Sequence, residues 1–360
     1  MATDRHQARR SRLVAAVKKA QLDLLIVSHP PNVTYLTGFT GDASCLLIGP
    51  KRTLMVSDSR FETQLADECP GLATEIRTAK TQTADFLAEI LGKLGFKRIG
   101  FESAYTTVAA KDGLAEKATG IELTPSSGLV EELRQIKDSE EITAIRDAIY
   151  LAERGYSVLR ALLLPEMTER EAAHELEHAM RRFGALKAAF EPIIGVGPQA
   201  ALPHYRAGLR RLDEAPFFLI DWGAVEPGGY HSDLTRVVAT SKIPPKLDKL
   251  HRVVMNARQA ALDAIHPGVA CQQVDATARK VIEDAGFGKY FGHGLGHGIG
   301  LEIHESVRFS PISKDTLQPG MVLTVEPGIY LPGFGGVRLE DDVLITRDGY
   351  EVLSSVPLEL

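Results

Sequence analysis

Cysteine is scarce in this sequence. The chain of 360 residues has three, Cys45, Cys69 and Cys271. An odd number with no close pair excludes a disulfide framework and a thiolate zinc site. Long apolar runs are also missing. Nowhere do about 18 apolar residues follow one another, so no membrane-spanning helix is expected. The basic start MATDRHQARRSRLVAAVKKAQ has no uninterrupted apolar core of the kind an export signal needs, and the cytoplasm is the expected location. An excess of positive charge is lacking as well. Lys and Arg number 41 against 47 Asp and Glu, a formal charge of −6. Such a balance gives no general electrostatic reason to coat nucleic acid or an anionic membrane, and neither partner is expected. Low-complexity segments and short-period repeats are absent too.

What remains is an ordinary globular composition, 44% hydrophobic and 24% charged, and a length that suggests two domains. The first half alternates helical and strand-like patterns. Residues 10–20 read as an amphipathic helix, 22–27 as a buried strand broken by Pro30, Pro31 and Asn32, and 45–48 with 53–56 as two strands around Gly49-Pro50-Lys51. A helix over 83–94 and a strand over 98–101 follow, which implies a layered α/β domain with a parallel or mixed sheet. Helical spacing resumes with Ile142, Ile145 and Ile149 behind a cap at Asp138 or Ser139, and again over 169–182 and 247–264. Between and after these helices come the strand-like runs PFFLID, DLTRVVAT, MVLTVEP and GGVRLEDDVLIT. The second half therefore reads as α+β, with helices on a largely antiparallel sheet, and the boundary is set at 128/129.

Ionisable residues occupy strand positions where an apolar residue would be the ordinary choice. Asp221 ends Phe217-Phe218-Leu219-Ile220, and Asp233 opens the next strand. Pro227-Gly228-Gly229 between them signals a hairpin that brings the two carboxylates together, and two close carboxylates call for a cation. FGHGLGHGIGLEIHE (291–305) alternates glycine without a gap from Gly292 to Gly300. It suits an extended segment that another backbone approaches closely, and it fits neither a dinucleotide-binding motif nor a phosphate-binding loop. Glu326 ends one apolar alternation. Arg338 and Glu340 share a face opposite Val337 and Leu339. Taken singly, each Asp suits a turn and each His an ordinary core position. Taken together, Asp221, Asp233, Glu326 and Glu340 with His297 make a ligand set for two divalent cations, four negative charges against two ions of charge +2. Hard oxygen donors with one imidazole favour manganese, cobalt, iron or zinc over copper without choosing among the four, and manganese is the ion expected.

The blocks ALPHYRAG, DWGAVEPGGYHSDLTR, HGLGHGIGLEIHE, TVEPGIY and GGVRLEDD resemble the signatures of the pita-bread metallopeptidases, and among them the Xaa-Pro peptidases, aminopeptidase P and prolidase. NVTYLTGFTG and SDSRF resemble the creatinase-type N-terminal domain, and ELRQIKDSEEI its junction with the catalytic domain. The resemblance implies a creatinase-type α/β domain over 1–128 and a pita-bread catalytic domain over 129–360. It implies that Asp233 and Glu340 bridge two metal ions, that Asp221 chelates one, and that His297 and Glu326 bind the other. His204 and His304 fall on histidines that contact the substrate carbonyl and the tetrahedral intermediate. His293 falls on the prolyl side of the cleft and Arg338 near the substrate's carboxyl end. Glu326 is the expected proton shuttle, and Phe190 is expected to pack on the proline ring. Twelve positions separate Asp221 from Asp233 where the family more often has eleven; the extra residue falls in the hairpin turn, where insertion costs little. The implied substrate is a proline-containing peptide and the implied assembly a homodimer. The alternatives are an exopeptidase like methionine aminopeptidase, creatinase itself, or a non-catalytic peptide-binding member of the fold.

Overall fold

The computed structural model describes residues 2–360. Two compact units emerge, one ending at Arg134 and the other spanning Gln135–Leu360. No described helix is long and apolar enough to cross a membrane.

The N-terminal unit holds strands β1 (Leu24–Val27), β2 (Cys45–Gly49), β3 (Arg52–Asp58), β4 (Thr74–Arg77), β5 (Arg98–Glu102) and β6 (Glu122–Ser126). Its helices are α1 (Ala2–Lys19), α2 (Pro30–Thr37), α3 (Glu62–Glu68), α4 (Thr83–Leu94), α5 (Val108–Lys117) and α6 (Glu131–Arg134). The six strands form one mixed sheet in the order β4-β3-β2-β1-β5-β6, with β2 antiparallel to both neighbours and the other pairs parallel. Helices α4 and α5 bury Ile90, Leu91 and Leu114 in one cluster with Leu24, Ile26, Leu47, Leu54 and Val56. The predicted helix over 83–94 is present as drawn. Pro30 and Pro31 end the first strand as expected, but they also open α2, because proline fits the first helical turn, where no N–H is required.

The second unit begins with α7 (Ser139–Leu162) and α8 (Glu169–Arg182). Asp138 caps α7 by accepting from Glu140 N and Glu141 N, and Glu141 reaches back to Asp138 N. Next come β7 (Lys187–Ala188), β8 (Ile193–Val196), β9 (Phe217–Trp222), β10 (Ala224–Val225), β11 (Leu234–Ala239), α9 (Pro245–Asp263) and α10 (Cys271–Asp284). The chain ends with β12 (Gly296–Gly298), β13 (Glu305–Phe309), β14 (Val322–Val325), β15 (Gly328–Leu331), β16 (Gly335–Arg338), β17 (Asp341–Ile345) and β18 (Tyr350–Val352). All strand pairs here are antiparallel, as expected, but they divide among several small sheets. GGVRLEDDVLIT is two strands instead of one, β16 pairing with β15 and β17 with β14. Helix α10 has no counterpart in the sequence reading. Cys271 starts it, fully buried.

Helix pairs cover two apolar clusters. Helices α7 and α8 contribute Leu151, Tyr156, Leu176 and Met180 to a cluster with Phe218, Ile220, Trp222 and Leu234. Helices α9 and α10 contribute Leu250, Val254, Val274 and Ile282 to a cluster with Phe217, Leu219, Val237, Leu323, Val325, Val337 and Leu339. Strand β9 thus splits its residues between the two clusters by parity. Alternation puts Asp221 on the side of Phe217 and Leu219, and Asp233 and Thr235 on the side of Val237. An apolar stripe ends in acids on both strands. The glycine-rich segment supplies β12, where a Cβ on Gly296 would lie 2.0 Å from Thr324 O. Replacing Gly296 with Ala should therefore push β12 off β14 and destabilise the unit by about 1–3 kcal/mol, the range for overpacking. Chemical denaturation checks this, and an unchanged midpoint would contradict the close approach.

Candidate metal centre

Strands β9 and β11 pair with Asp221 opposite Thr235 and Trp222 opposite Leu234. The hairpin expected between the two aspartates is therefore present. Asp233 sits two positions from the direct partner of Asp221, on the same face and diagonally across the ladder. Thr235 also bridges to Glu340, the residue just before β17. Glu340 N donates to Thr235 O, and Thr235 Oγ1 donates to Glu340 Oε2 at 2.6 Å. Asp233 N donates to Asp342 Oδ2 at 3.1 Å. These links bring together acids that lie more than a hundred residues apart in the chain.

Ligand-type atoms of Asp233, His297 and Glu340 all lie within 4.8 Å of one another, and all three residues are buried. His297 Nε2 is 3.6 Å from Asp233 Oδ2 and 3.6 Å from Glu326 Oε1. His297 Nδ1 lies 3.1 Å from Gly298 O. A hydrogen bond there puts the ring proton on Nδ1 and leaves Nε2 as a bare lone pair facing the carboxylates. His297 N donates to Thr324 Oγ1, and that hydroxyl also lies 3.4 Å from Glu326 Oε1. All five expected ligands line one cavity of about 720 Å³. His204, His293, His304, Arg338 and Phe190 line the same cavity. The rings of His297 and His304 meet edge to face, 4.4 Å between centroids.

Sequence reasoning did not single out Thr235, Thr324 or Tyr330. Tyr330 Oη accepts from Arg338 Nη1 at 2.8 Å and lies 2.8 Å from His293 Nε2. Arg338 also donates through Nε to Thr235 Oγ1 and through Nη2 to Asp221 Oδ2. Its first task is thus to hold Asp221, Thr235 and Tyr330 in register. A tyrosine two positions into β15, on a strand beginning right after Glu326-Pro327, was the available signal for Tyr330.

Burial dominates the electrostatics. It raises the pKa of Asp221 against the pull of Arg338. Burial and then the charges of Glu340 and Asp221 hold Asp233 well above the ordinary carboxylate range. Burial and then Glu326 and Asp221 do the same to Glu340. Glu326 is pushed up to about 8, by burial first, with Arg338 opposing and Asp221 adding. His297 is driven down to about 3 by burial and by His304, so its imidazole is neutral, the form that binds a metal. Asp221 Oδ1 is buried without a hydrogen-bond partner. A neutral imidazole, a carboxylate oxygen with no donor and a set of mutually repelling acids are what a divalent-cation site requires, and the residues present fit such ions.

The pH dependence follows from these directions. Each of these carboxyls has a folded-state pKa above its ordinary value. Without a cation they favour the folded state when protonated. That contribution is present below the unfolded value and is lost as pH rises through the folded one, for Glu326 from 4.5 to about 8. A bound dication removes the penalty. The Tm difference between manganese-loaded and chelator-treated protein should therefore widen between about pH 5 and about pH 8. A difference that stays flat or narrows would contradict the assignment of these acids to a cation site.

Comparison with known proteins gives the chain's relatives. Residues 143–347 match the model of metallopeptidase family M24, and residues 9–136 match that of the creatinase/prolidase N-terminal domain. The chain is similar to the Xaa-Pro dipeptidase of Pyrococcus furiosus, 34% identical over 98% of this chain and 99% of that one. Among solved structures it resembles an Xaa-Pro dipeptidase from Bacillus anthracis, with a TM-score of 0.94 and 36% identity over 99% of both chains. It also resembles an X-Pro aminopeptidase from Thermotoga maritima, with a TM-score of 0.88 and 32% identity over 98% of this chain and 99% of that one.

Proposed function

The chain belongs to metallopeptidase family M24 and carries a creatinase/prolidase N-terminal domain, and on that premise we propose that it hydrolyses the peptide bond before proline, in dipeptides or at the N-terminus of longer peptides. The observation that carries the reading is the convergence of Asp221, Asp233, His297, Glu326 and Glu340 in the wall of a cavity that also holds His204 and His304. Relatives of near-full-length similarity are named for Xaa-Pro cleavage, which does not favour the methionine aminopeptidase-like or non-catalytic alternatives.

The residues proposed to hold divalent metal are those five. Two divalent cations there would polarise the scissile carbonyl and ease deprotonation of an attacking water. The bond before proline is a tertiary amide and offers no N–H, so recognition falls on the carbonyl, the ring and the chain ends. His204 and His304 are proposed to donate hydrogen bonds to the carbonyl oxygen as it gains charge. Burial lowers the pKa of His304, which favours its neutral form with one N–H to give. Glu326, in the wall of the same cavity, is proposed to pass a proton to the departing proline nitrogen. Phe190 and His293 are proposed to flank the proline ring. Arg338 has five N–H groups and commits three to protein acceptors, which leaves two for a substrate carboxylate. Manganese is the proposed working ion, supported by four hard oxygen donors and one imidazole.

Dialysis against a chelator should abolish hydrolysis of an Xaa-Pro dipeptide, and manganese should restore it. Asp233→Asn should lose metal and reduce kcat/KM by about 10³-fold or more, equivalent to about 4 kcal/mol of transition-state stabilisation. Activity that survives complete metal removal, or a fully active Asp233→Asn protein, would refute the reading. A tripeptide assayed beside the dipeptide separates the aminopeptidase from the dipeptidase.

A further inference from the structure

His204 stands on a stretch with little structure of its own. Residues 202–211 run between the short 3-10 helices Gly197–Ala201 and Leu212–Glu214 without a strand or α-helix. Leu202, His204, Arg206 and Leu209 are exposed. A segment packed so lightly is expected to move unless something anchors it. Yet Pro203, His204, Tyr205 and Arg206 form part of the cavity wall.

One buried carboxylate supplies two of the hydrogen bonds that anchor this segment. Glu169, the first residue of α8, is completely buried. Its Oε2 accepts from Tyr205 Oη and from Gly208 N, both at 2.9 Å. Its Oε1 accepts from Val196 N at 2.9 Å, at the end of β8. Backbone bonds reinforce the seam, with Glu169 N donating to Arg210 O and Arg170 N to Gly208 O. A Cβ on Gly208 would lie 3.2 Å from Glu169 Oε2, so the carboxylate sits directly against the loop backbone. Burial and the bond to Glu169 push the Tyr205 hydroxyl up to about 12, so it remains a donor at any physiological pH. The start of α8 also offers a favourable dipole for a negative charge.

We propose that Glu169 is the positioning residue for His204: it ties β8, Tyr205 and Gly208 to the start of α8, so that the histidine between them is presented to the scissile carbonyl at a fixed place. The inference rests on the role proposed above for His204 and adds what holds that residue. Glu169 touches neither substrate nor metal. It acts through geometry, in the way that small displacements of a positioned group cost rate without abolishing binding.

The test uses the full-length, metal-loaded protein with Glu169→Gln and Tyr205→Phe. The glutamine carbonyl can accept on one side only, while the amide nitrogen faces donors. At least one of the three bonds is therefore lost. Glu169→Gln is expected to bind metal at wild-type stoichiometry, to lose kcat about tenfold and to keep KM within about twofold. In a His204→Ala background the same substitution should cost less than about twofold, because residues that act as one unit are not additive. Trypsin should cleave Glu169→Gln after Arg206 and Arg210 several times faster than wild type, a sign of a loosened loop. Tyr205→Phe removes one bond only and should fall between the two; it supplies the comparison if Glu169→Gln does not fold. Equal losses with and without the His204→Ala substitution, or equal trypsin rates, would overturn the proposal. If the wild-type protein cleaves no Xaa-Pro peptide, the substrate reading fails; faster trypsin cleavage of Glu169→Gln then still upholds the anchor and equal cleavage overturns it.

Discussion

Four carboxyl groups that repel one another in the wall of one cavity are the constraint on which the rest of this structure depends. Water would screen them, but burial removes it, and Arg338 offsets only part of the charge. Such a cluster is stable only if some groups stay protonated or cations enter. The protein leaves the choice open by giving Asp221 Oδ1 no donor and His297 Nε2 no proton. Folding therefore produces a vessel whose electrostatic cost is recovered on binding ions. In the ion-free protein that same cost raises the pKa of Glu326 to about 8.

The scaffold behind the acids is built to resist their repulsion. Arg236 is fully buried and donates to the backbone oxygens of Thr235 and Glu340 and to Asp341. Arg258 also meets Asp341. Burial would raise the pKa of Asp341, but the two arginines outweigh it and keep it ionised. The cage is thus clamped from behind through backbone oxygens, leaving the carboxylates in front free to bind. Lys137 and Glu305 form a further buried ion pair, at 2.8 Å, beside His304 in the sequence. Ion pairs of this kind contribute little net stability but punish any alternative arrangement.

Much of this was legible in the sequence, and for a definite reason. Acids at the ends of apolar alternations break the local pattern, so Asp221, Asp233, Glu326 and Glu340 stood out against their neighbours, as did the histidines set in glycine. Capping at Asp138 and the period of 83–94 and 169–182 were equally visible because they depend on nearest neighbours. The features that stayed hidden depend on distant partners. Thr235, Thr324 and Tyr330 look like routine strand residues until β11, β14 and β15 are placed. Glu169 looks like a helix-start acid, and nothing local reveals that its oxygens serve a loop some forty residues on. The division of the antiparallel strands into small sheets, and the break of one long run into β16 and β17, follow from which partners each strand finds. Helix α10 escaped notice because a cysteine and an aspartate, Cys271 and Asp275, share its buried face with Val274, Ala278 and Ile282.

The most direct test of the central claim is an anomalous-difference map at the manganese absorption edge, from a crystal grown with that ion. The account predicts two neighbouring peaks enclosed by Asp221, Asp233, His297, Glu326 and Glu340. A map with no peak among those side chains, in a crystal that contains manganese, would contradict it.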